Sequence, residues 1–364
     1  MNNKFESVLV INPHGVGDVF FSTPLLRNIR EYAPGARIYY MCNKRVAPLL
    51  EANPLIYKLF VYERDDFERL RQKSFWSWLI GMMSFLNSIR REHIEVAFDL
   101  SLNTKFGFFC FYGGIKRRIG FDYKKRGKFL NYKMKLDGFS KKHAVEYYLD
   151  LLRVFKIPVS NFNLEYFVSE RDKAWADKLF EKRGLEHKLI ICVAPFGGKS
   201  YGPKAYIKRW PAERFSSLID HIIEKYDAHV CILAGPSEVN ELRILYSMIS
   251  RKDQVFDTLQ FTFSQSASVI EKSTMLIGND TGAVHIANAL GKKVVAFFGP
   301  VDEKIYGIYP FSKDRHKILS HDIPCRPCYK NFRLSECKKD LACLKDIQLD
   351  EVYLAIDELL KKEN

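Results

Sequence analysis

Residues 273–290, STMLIGNDTGAVHIANAL, followed by KVVAFFG (293–299), hold the reading that decides the fold. STMLI is a short β-prone run, AVHIANAL carries apolar residues at helical spacing, and KVVAFFG returns to a strand pattern. Upstream the alternation continues: KLIICVAP (188–195), a helix from Pro211, HVCILAG (229–235), a helix from Pro236, QVFD (254–257) and a helix near 264–271. Val-, Ile- and Leu-rich strands that alternate with helices build parallel sheets covered on both faces. Working outward, the first half repeats the theme with SVLVINP (7–13), a helix over about Asp18–Tyr32, ARIYYMC (36–42), IYKLFVY (56–62) and IEVAFDL (94–100). After these comes a stretch that reads as basic loop.

The predicted fold is therefore α/β, with two doubly wound Rossmann-like domains facing across a cleft. A chain of 364 residues is long enough for two cores. The polar SERDKAWADKLFEKRG marks the join, which gives a first domain over 1–170, a second over 171–345, and a terminal helix, 346–364, expected to return to the first domain. Ligands of such folds bind at the carboxyl ends of the strands, so a donor on one sheet and an acceptor on the other would meet in the cleft.

Composition excludes a disordered or fibrous chain, at 47% hydrophobic and 27% charged residues. The N-terminus reaches β-like sequence at once without a basic-then-apolar leader, so no signal peptide is read and a cytoplasmic location is expected. The longest apolar stretch, FWSWLIGMMSFLNSI (75–89), is interrupted by polar residues and too short for a membrane span, which needs about 20 residues. It reads as a core helix, with an interfacial helix as the alternative. Net charge is +14, much of it local: residues 116–142 hold eleven Lys/Arg, among them Lys116, Arg117, Arg118, Lys124, Lys125 and Arg126, against Asp122 and Asp137. A nucleic acid, an anionic membrane or a phosphorylated substrate would each suit that patch, as would a plain solvated surface.

The chemistry-bearing residues fall at strand-to-helix turns. In GNDTG the acid and hydroxyl precede a helix, whose free amides and dipole favour a phosphate; a plain N-cap is the competing reading. HGVGDVFFSTP (14–24) follows the first strand, but Phe20 stands where a dinucleotide fingerprint wants its third glycine. Gly15 and Gly17 are read as allowing a tight turn that leaves Asp18 near the helix start, as a cap or as a base. PFGGKSYGPKAYIKRWPAERF (195–215) hangs Lys199, Lys204, Lys208 and Arg209 beyond a strand end as cations for phosphate, with Trp210 as a staple. Glu238, in GPSE, takes a similar rim position, where an acid can accept from ribose hydroxyls.

IGNDTGAVHIANALGKKVVAFFGP (277–300), GVGDVFFSTPLLRNI (15–29), KRWPAERF (208–215), and polar DLSLNTK (99–105) before basic KRRIGFD (116–122) together resemble the ADP-heptose:lipopolysaccharide heptosyltransferases of glycosyltransferase family 9, the second-heptose type in particular. The resemblance implies a GT-B fold and inverting, metal-independent transfer of heptose from ADP-heptose to the acidic inner core of lipopolysaccharide, with no cofactor required. It implies Asp18 as general base, Lys208 on the donor phosphate, Glu238 on the ribose side, and Asp280, Thr281, Gly282 and His285 as the nucleotide-diphosphate block. His285 alone reads equally as a core histidine. The absence of any Asp-x-Asp from the sequence agrees with this scheme. The basic residues Lys116, Arg117, Arg118, Lys124, Lys125 and Arg126 are assigned to the acceptor and to the inner face of the cytoplasmic membrane, where the protein would sit peripherally. Two alternatives stay open: the same fold with another nucleotide sugar, and a nucleic-acid binder using residues 116–142. Cys325, Cys328, Cys337 and Cys343 lack the second close pair that structural zinc favours, so no metal is expected and zinc is the minor alternative. Cys42, Cys110, Cys192 and Cys231 lie in or beside apolar runs and read as core.

Overall fold

The computed structural model describes residues 4–197 and 202–361. The chain forms two compact units, Met1–Phe167 and Val168–Asn364. In the first, β1 (Ser7–Ile11), β2 (Arg37–Cys42), β3 (Lys58–Val61), β4 (Val96–Asp99), β5 (Arg117–Tyr123) and β6 (Tyr132–Leu136) pair in the order β3-β2-β1-β4-β5-β6. In the second, β7 (Ile190–Ala194), β8 (His229–Ile232), β9 (Val255–Asp257), β10 (Met275–Asn279), β11 (Lys293–Phe297) and β12 (His316–Leu319) pair in the order β12-β11-β10-β7-β8-β9. All pairings in both sheets are parallel. Written from either end, both sheets have the same winding, and each reverses direction once, between β1 and β4 and between β7 and β10. Those reversals leave a crevice beyond the strand ends, where ligands bind in open α/β sheets.

Burial on both faces explains why the strands read as continuous apolar runs rather than alternating ones: every residue of β1, β7 and β10 is buried. At the second reversal the strands approach closely. A Cβ on Gly278 would lie 2.6 Å from the Ala194 Cβ and 2.7 Å from its carbonyl oxygen, so glycine is required there.

Three expectations change. The segment 116–142 is not loop-rich; it contains β5 and β6, whose lysines and arginines hid the strand pattern. The helix after β1 is two, Val16–Phe21 and Thr23–Tyr32, divided at Ser22 before Pro24. Phe75–Arg90 is not a core helix, since only Leu86 and Ile89 at its C-terminal end are buried. In the last helix, Leu349–Leu360, Val352, Ala355, Ile356 and Leu359 are buried in the second unit's own core.

Candidate active site

In the second unit the site is built around Asn279, the last residue of β10. Its side chain accepts from the Trp210 amide at 2.9 Å and donates to the Pro195 carbonyl at 2.7 Å, so it latches both ends of the loop that follows β7. Trp210 is the expected staple: it is buried, stacks on Phe297 with ring centroids 4.6 Å apart, and donates its indole N–H to the Ile347 carbonyl at 3.1 Å. Lys208, in the short 3-10 segment Gly202–Lys208, is held by that latch and forms an ion pair with Asp280. Both side chains are over nine-tenths buried, which makes this pair the only such one among the described residues. Of the other loop cations, Lys204 is half-buried opposite Glu336 at 3.7 Å, Arg209 donates to Glu241 at 3.1 Å, and Lys199 lies outside the described residues.

The helix Gly282–Ala289 begins directly after Asp280, with Thr281 in the N-cap position. The plain cap reading fails, because Thr281 makes no capping hydrogen bond and its buried Oγ1 has no partner among the described residues. A buried hydroxyl beside helix-start amides is a place for an anion. His285, one turn in, is buried, and burial together with the Lys208 charge lowers its pKa to about 3. It is therefore a neutral imidazole at physiological pH and brings no charge to a phosphate. Glu238 is buried on the adjoining rim, where its carboxylate accepts from the Gly235 amide at 2.9 Å.

In the first unit Asp18 is the third residue of the helix Val16–Phe21 and is half-buried. The preceding loop is fixed by Asn12, which donates to the Asp18 carbonyl at 2.9 Å, and by Asn43, which donates to the Pro13 and His14 carbonyls at 3.1 and 2.7 Å. The glycines do not act as the sequence suggested. Gly15 has an ordinary extended backbone (φ −74°), and Gly17 lies inside the helix. Nor is Gly15 needed for room, since a Cβ there would stand in ordinary contact, 3.7 Å from Asp18 Oδ2 and 3.9 Å from the Arg45 guanidinium.

Asp99 is the residue sequence reading missed. It ends β4 at the first sheet's reversal, next to Ile11 of β1, and is buried; its Oδ1 accepts from the Ser101 amide at 2.9 Å. Burial pushes its carboxyl up to about 6, against the opposing pull of the Ser101 hydrogen bonds and the His14 charge. The only available signal was a charged residue closing an apolar strand in IEVAFDL. A raised folded pKa means the native state holds this proton more tightly than the unfolded chain, so stability is full below about pH 4 and falls as pH rises toward 6. Asp99→Asn should therefore raise unfolding free energy at pH 7.5 by about 2–3 kcal/mol and change it little at pH 4. Denaturant titrations at the two pH values check this; equal destabilisation at both would refute it.

The expected acceptor-side cations separate into two groups. Lys116, Lys124, Lys125 and Arg126 are exposed, and Lys124 and Lys125 form a tight turn at φ 51° and 60°. Arg117 instead pairs with Glu95 at 2.9 Å, and Arg118 donates to the Ile115 and Phe129 carbonyls. Both are taken up by the fold because they lie within β5. The four C-terminal cysteines carry no disulfide, and among the described residues no group of His, Cys, Asp and Glu could hold a metal ion. This tail instead braces the FGP turn. Arg326 is nearly buried and donates to the Gly299 and Val301 carbonyls and to Glu303, while the Cys328 amide donates to the Pro300 carbonyl at 2.9 Å.

Residues 82–339 match glycosyltransferase family 9 (heptosyltransferase). The chain belongs to this family. Lipopolysaccharide heptosyltransferase 2 of Escherichia coli K12 is 25% identical over 305 residues, 80% of this chain and 82% of the relative. The solved structure of the E. coli ADP-heptose lipopolysaccharide heptosyltransferase II superposes with a TM-score of 0.75 at 21% identity, covering 98% of this chain and 100% of that one. A family 9 glycosyltransferase from Veillonella parvula superposes at 0.81, again at 21% identity, covering 99% and 98%. The fold is the GT-B heptosyltransferase fold, and the chain is a glycosyltransferase of the heptosyltransferase family.

Proposed function

We propose that the protein transfers heptose from ADP-heptose to the inner core of lipopolysaccharide, by a single inverting displacement that uses no metal ion. The observation that carries the donor assignment is the buried Lys208–Asp280 pair beside the start of the helix Gly282–Ala289. A buried ion pair costs desolvation, so its retention at a ligand-binding strand end fits a site whose lysine is held ready for a phosphate. In this scheme Lys208, the Thr281 hydroxyl and the Gly282 helix-start amides stabilise the departing ADP diphosphate, and Glu238 faces the ribose. Asp18 takes the acceptor hydroxyl's proton as that oxygen attacks the anomeric carbon, and the configuration there inverts. His285, neutral and buried, orients the Lys208 side of the site rather than binding charge. The first unit binds the acceptor and the second the nucleotide sugar. The deciding experiment is mass spectrometry of the lipopolysaccharide core from a strain lacking this protein: a core one heptose short supports the reading, and an unchanged core defeats it.

The protein works in the cytoplasm at the inner face of the membrane, where its acceptor carries acidic sugars and phosphates. The exposed turn Lys124–Lys125–Arg126 addresses that acceptor. Reversing all three to Glu is expected to raise the acceptor KM at least about tenfold while ADP affinity stays within a factor of about two, since each basic residue near such a surface contributes about 1 kcal/mol. The effect should shrink in high salt. A variant that loses ADP affinity instead would assign the turn to the wrong ligand.

A further inference from the structure

The helix Phe75–Arg90 leaves an apolar face uncovered. Trp76 is 69% exposed and Ile80 68%, and with Leu79, Met83, Asn87 and Arg91 they line one shallow groove along the helix. Those positions recur at three- and four-residue spacing, so they form one stripe, apolar toward the N-terminus and polar toward the C-terminus. The opposite side is occupied: Leu70 of the helix Arg64–Lys73 would lie 2.8 Å from a Cβ on Gly81, so the two helices make a closely packed hairpin. No residue of Arg64–Lys73 is fully buried, and the hairpin is anchored through Leu86 and Ile89, with Phe67, Met82 and Phe85 partly buried against the same core, so the first turns of Phe75–Arg90 carry no buried residue.

The stripe continues into the basic segment through an unbroken run of contacts. Tyr112 donates its hydroxyl to the Met83 sulfur at 3.8 Å, and its ring lies 6.4 Å from Phe108. Phe108 meets Phe129 at 5.4 Å, Phe129 meets Phe111 at 5.6 Å, and the Arg118 guanidinium sits 5.5 Å over the Phe111 ring. Phe111 is itself 55% exposed, and Lys116 and Lys128, close in sequence to Arg118 and Phe129, are exposed as well. One continuous surface of the first unit thus carries Trp, Phe and Ile together with Lys and Arg. An apolar strip bordered by cations and including an exposed Trp matches the anionic face of a lipid bilayer.

We propose that this surface lies on an anionic bilayer, with Trp76 and Ile80 seated at the boundary between headgroups and acyl chains and the exposed Lys116 and Lys128 over the lipid phosphates. The inference rests on the reading of segment 116–142 as facing an anionic surface, and adds the apolar element that holds the protein there. The helix is 16 residues, about 24 Å long, and no helix among the described residues is long and apolar enough to cross a membrane. The stripe therefore lies in the plane of the interface.

The test compares the wild type, Trp76→Phe and Trp76→Ser/Ile80→Ser in sedimentation with phosphatidylcholine vesicles that do or do not contain phosphatidylglycerol. The wild type and Trp76→Phe should bind the anionic vesicles, and the double variant should bind at least about tenfold more weakly, with an unchanged circular dichroism spectrum and ADP affinity. Undiminished vesicle binding by the double variant overturns the proposal. So does a wild-type dimer that the double variant converts to monomer, which would make the face an interface between copies of this chain. Transfer to a delipidated, soluble acceptor is measured on the same samples: failure of the wild type there refutes the heptosyl reading, whereas the vesicle comparison decides the membrane face by itself.

Discussion

Asp18→Asn is expected to lower kcat by about 10²-fold or more while leaving ADP affinity and melting temperature at wild-type values. The substitution keeps the volume and the backbone carbonyl to which Asn12 donates, so the loop that fixes the helix start is undisturbed. It removes the only property the proposed mechanism uses, a carboxylate able to take the acceptor proton. The carboxylate stands beside Gly15, with Arg45 nearby, so an amide in its place would fill the same volume without accepting a proton. The pH profile separates this from a misplaced side chain. Wild-type kcat/KM should fall on the acid side as the carboxylate is protonated, and the variant should lose that limb along with its rate. Unchanged turnover, or a lowered rate with the acid limb intact, would assign the base elsewhere.

The strand-to-helix turns were legible because their cause is local. Gly278, Asn279, Asp280 and Thr281 lie within four consecutive positions, and the alternation of apolar runs with helical spacing places that turn at a sheet's carboxyl edge whatever the rest of the chain does. What sequence could not show was pairing between distant positions. Nothing in KRWP indicates that Lys208 is buried against Asp280, or that Asn279 fastens both Pro195 and Trp210. Asp99 was hidden for the same reason: a carboxylate at a strand end is ordinary until β1 and β5 enclose it. The basic strand β5 was read as loop because Arg117, Arg118 and Asp122 mask β-propensity in a strand whose other residues are all buried. The helix Phe75–Arg90 erred in the opposite direction. Apolar composition reports that a face is to be covered, and it does not say whether protein or lipid covers it.

Lys208→Ala is expected to weaken ADP binding by about 10- to 100-fold and, unlike Asp18→Asn, to destabilise the second unit. Removing one member of a buried ion pair leaves the Asp280 carboxylate without its counter-charge, a cost of about 3–5 kcal/mol. A loss of affinity in the single variant would thus mix a missing phosphate contact with a damaged fold. The double substitution Lys208→Met with Asp280→Asn separates the two. Methionine restores most of the buried stem, and asparagine removes the stranded charge, so stability should recover to within about 1–2 kcal/mol of the wild type. The cation is still missing, so ADP affinity measured by calorimetry should stay as low as in Lys208→Ala. If the double variant recovers affinity together with stability, Lys208 is a structural partner of Asp280, and the phosphate charge belongs to Lys204, to Lys199 or to the helix-start amides. If affinity stays low in a fold of restored stability, the pair is a device that keeps an ammonium dehydrated and aimed before the nucleotide arrives.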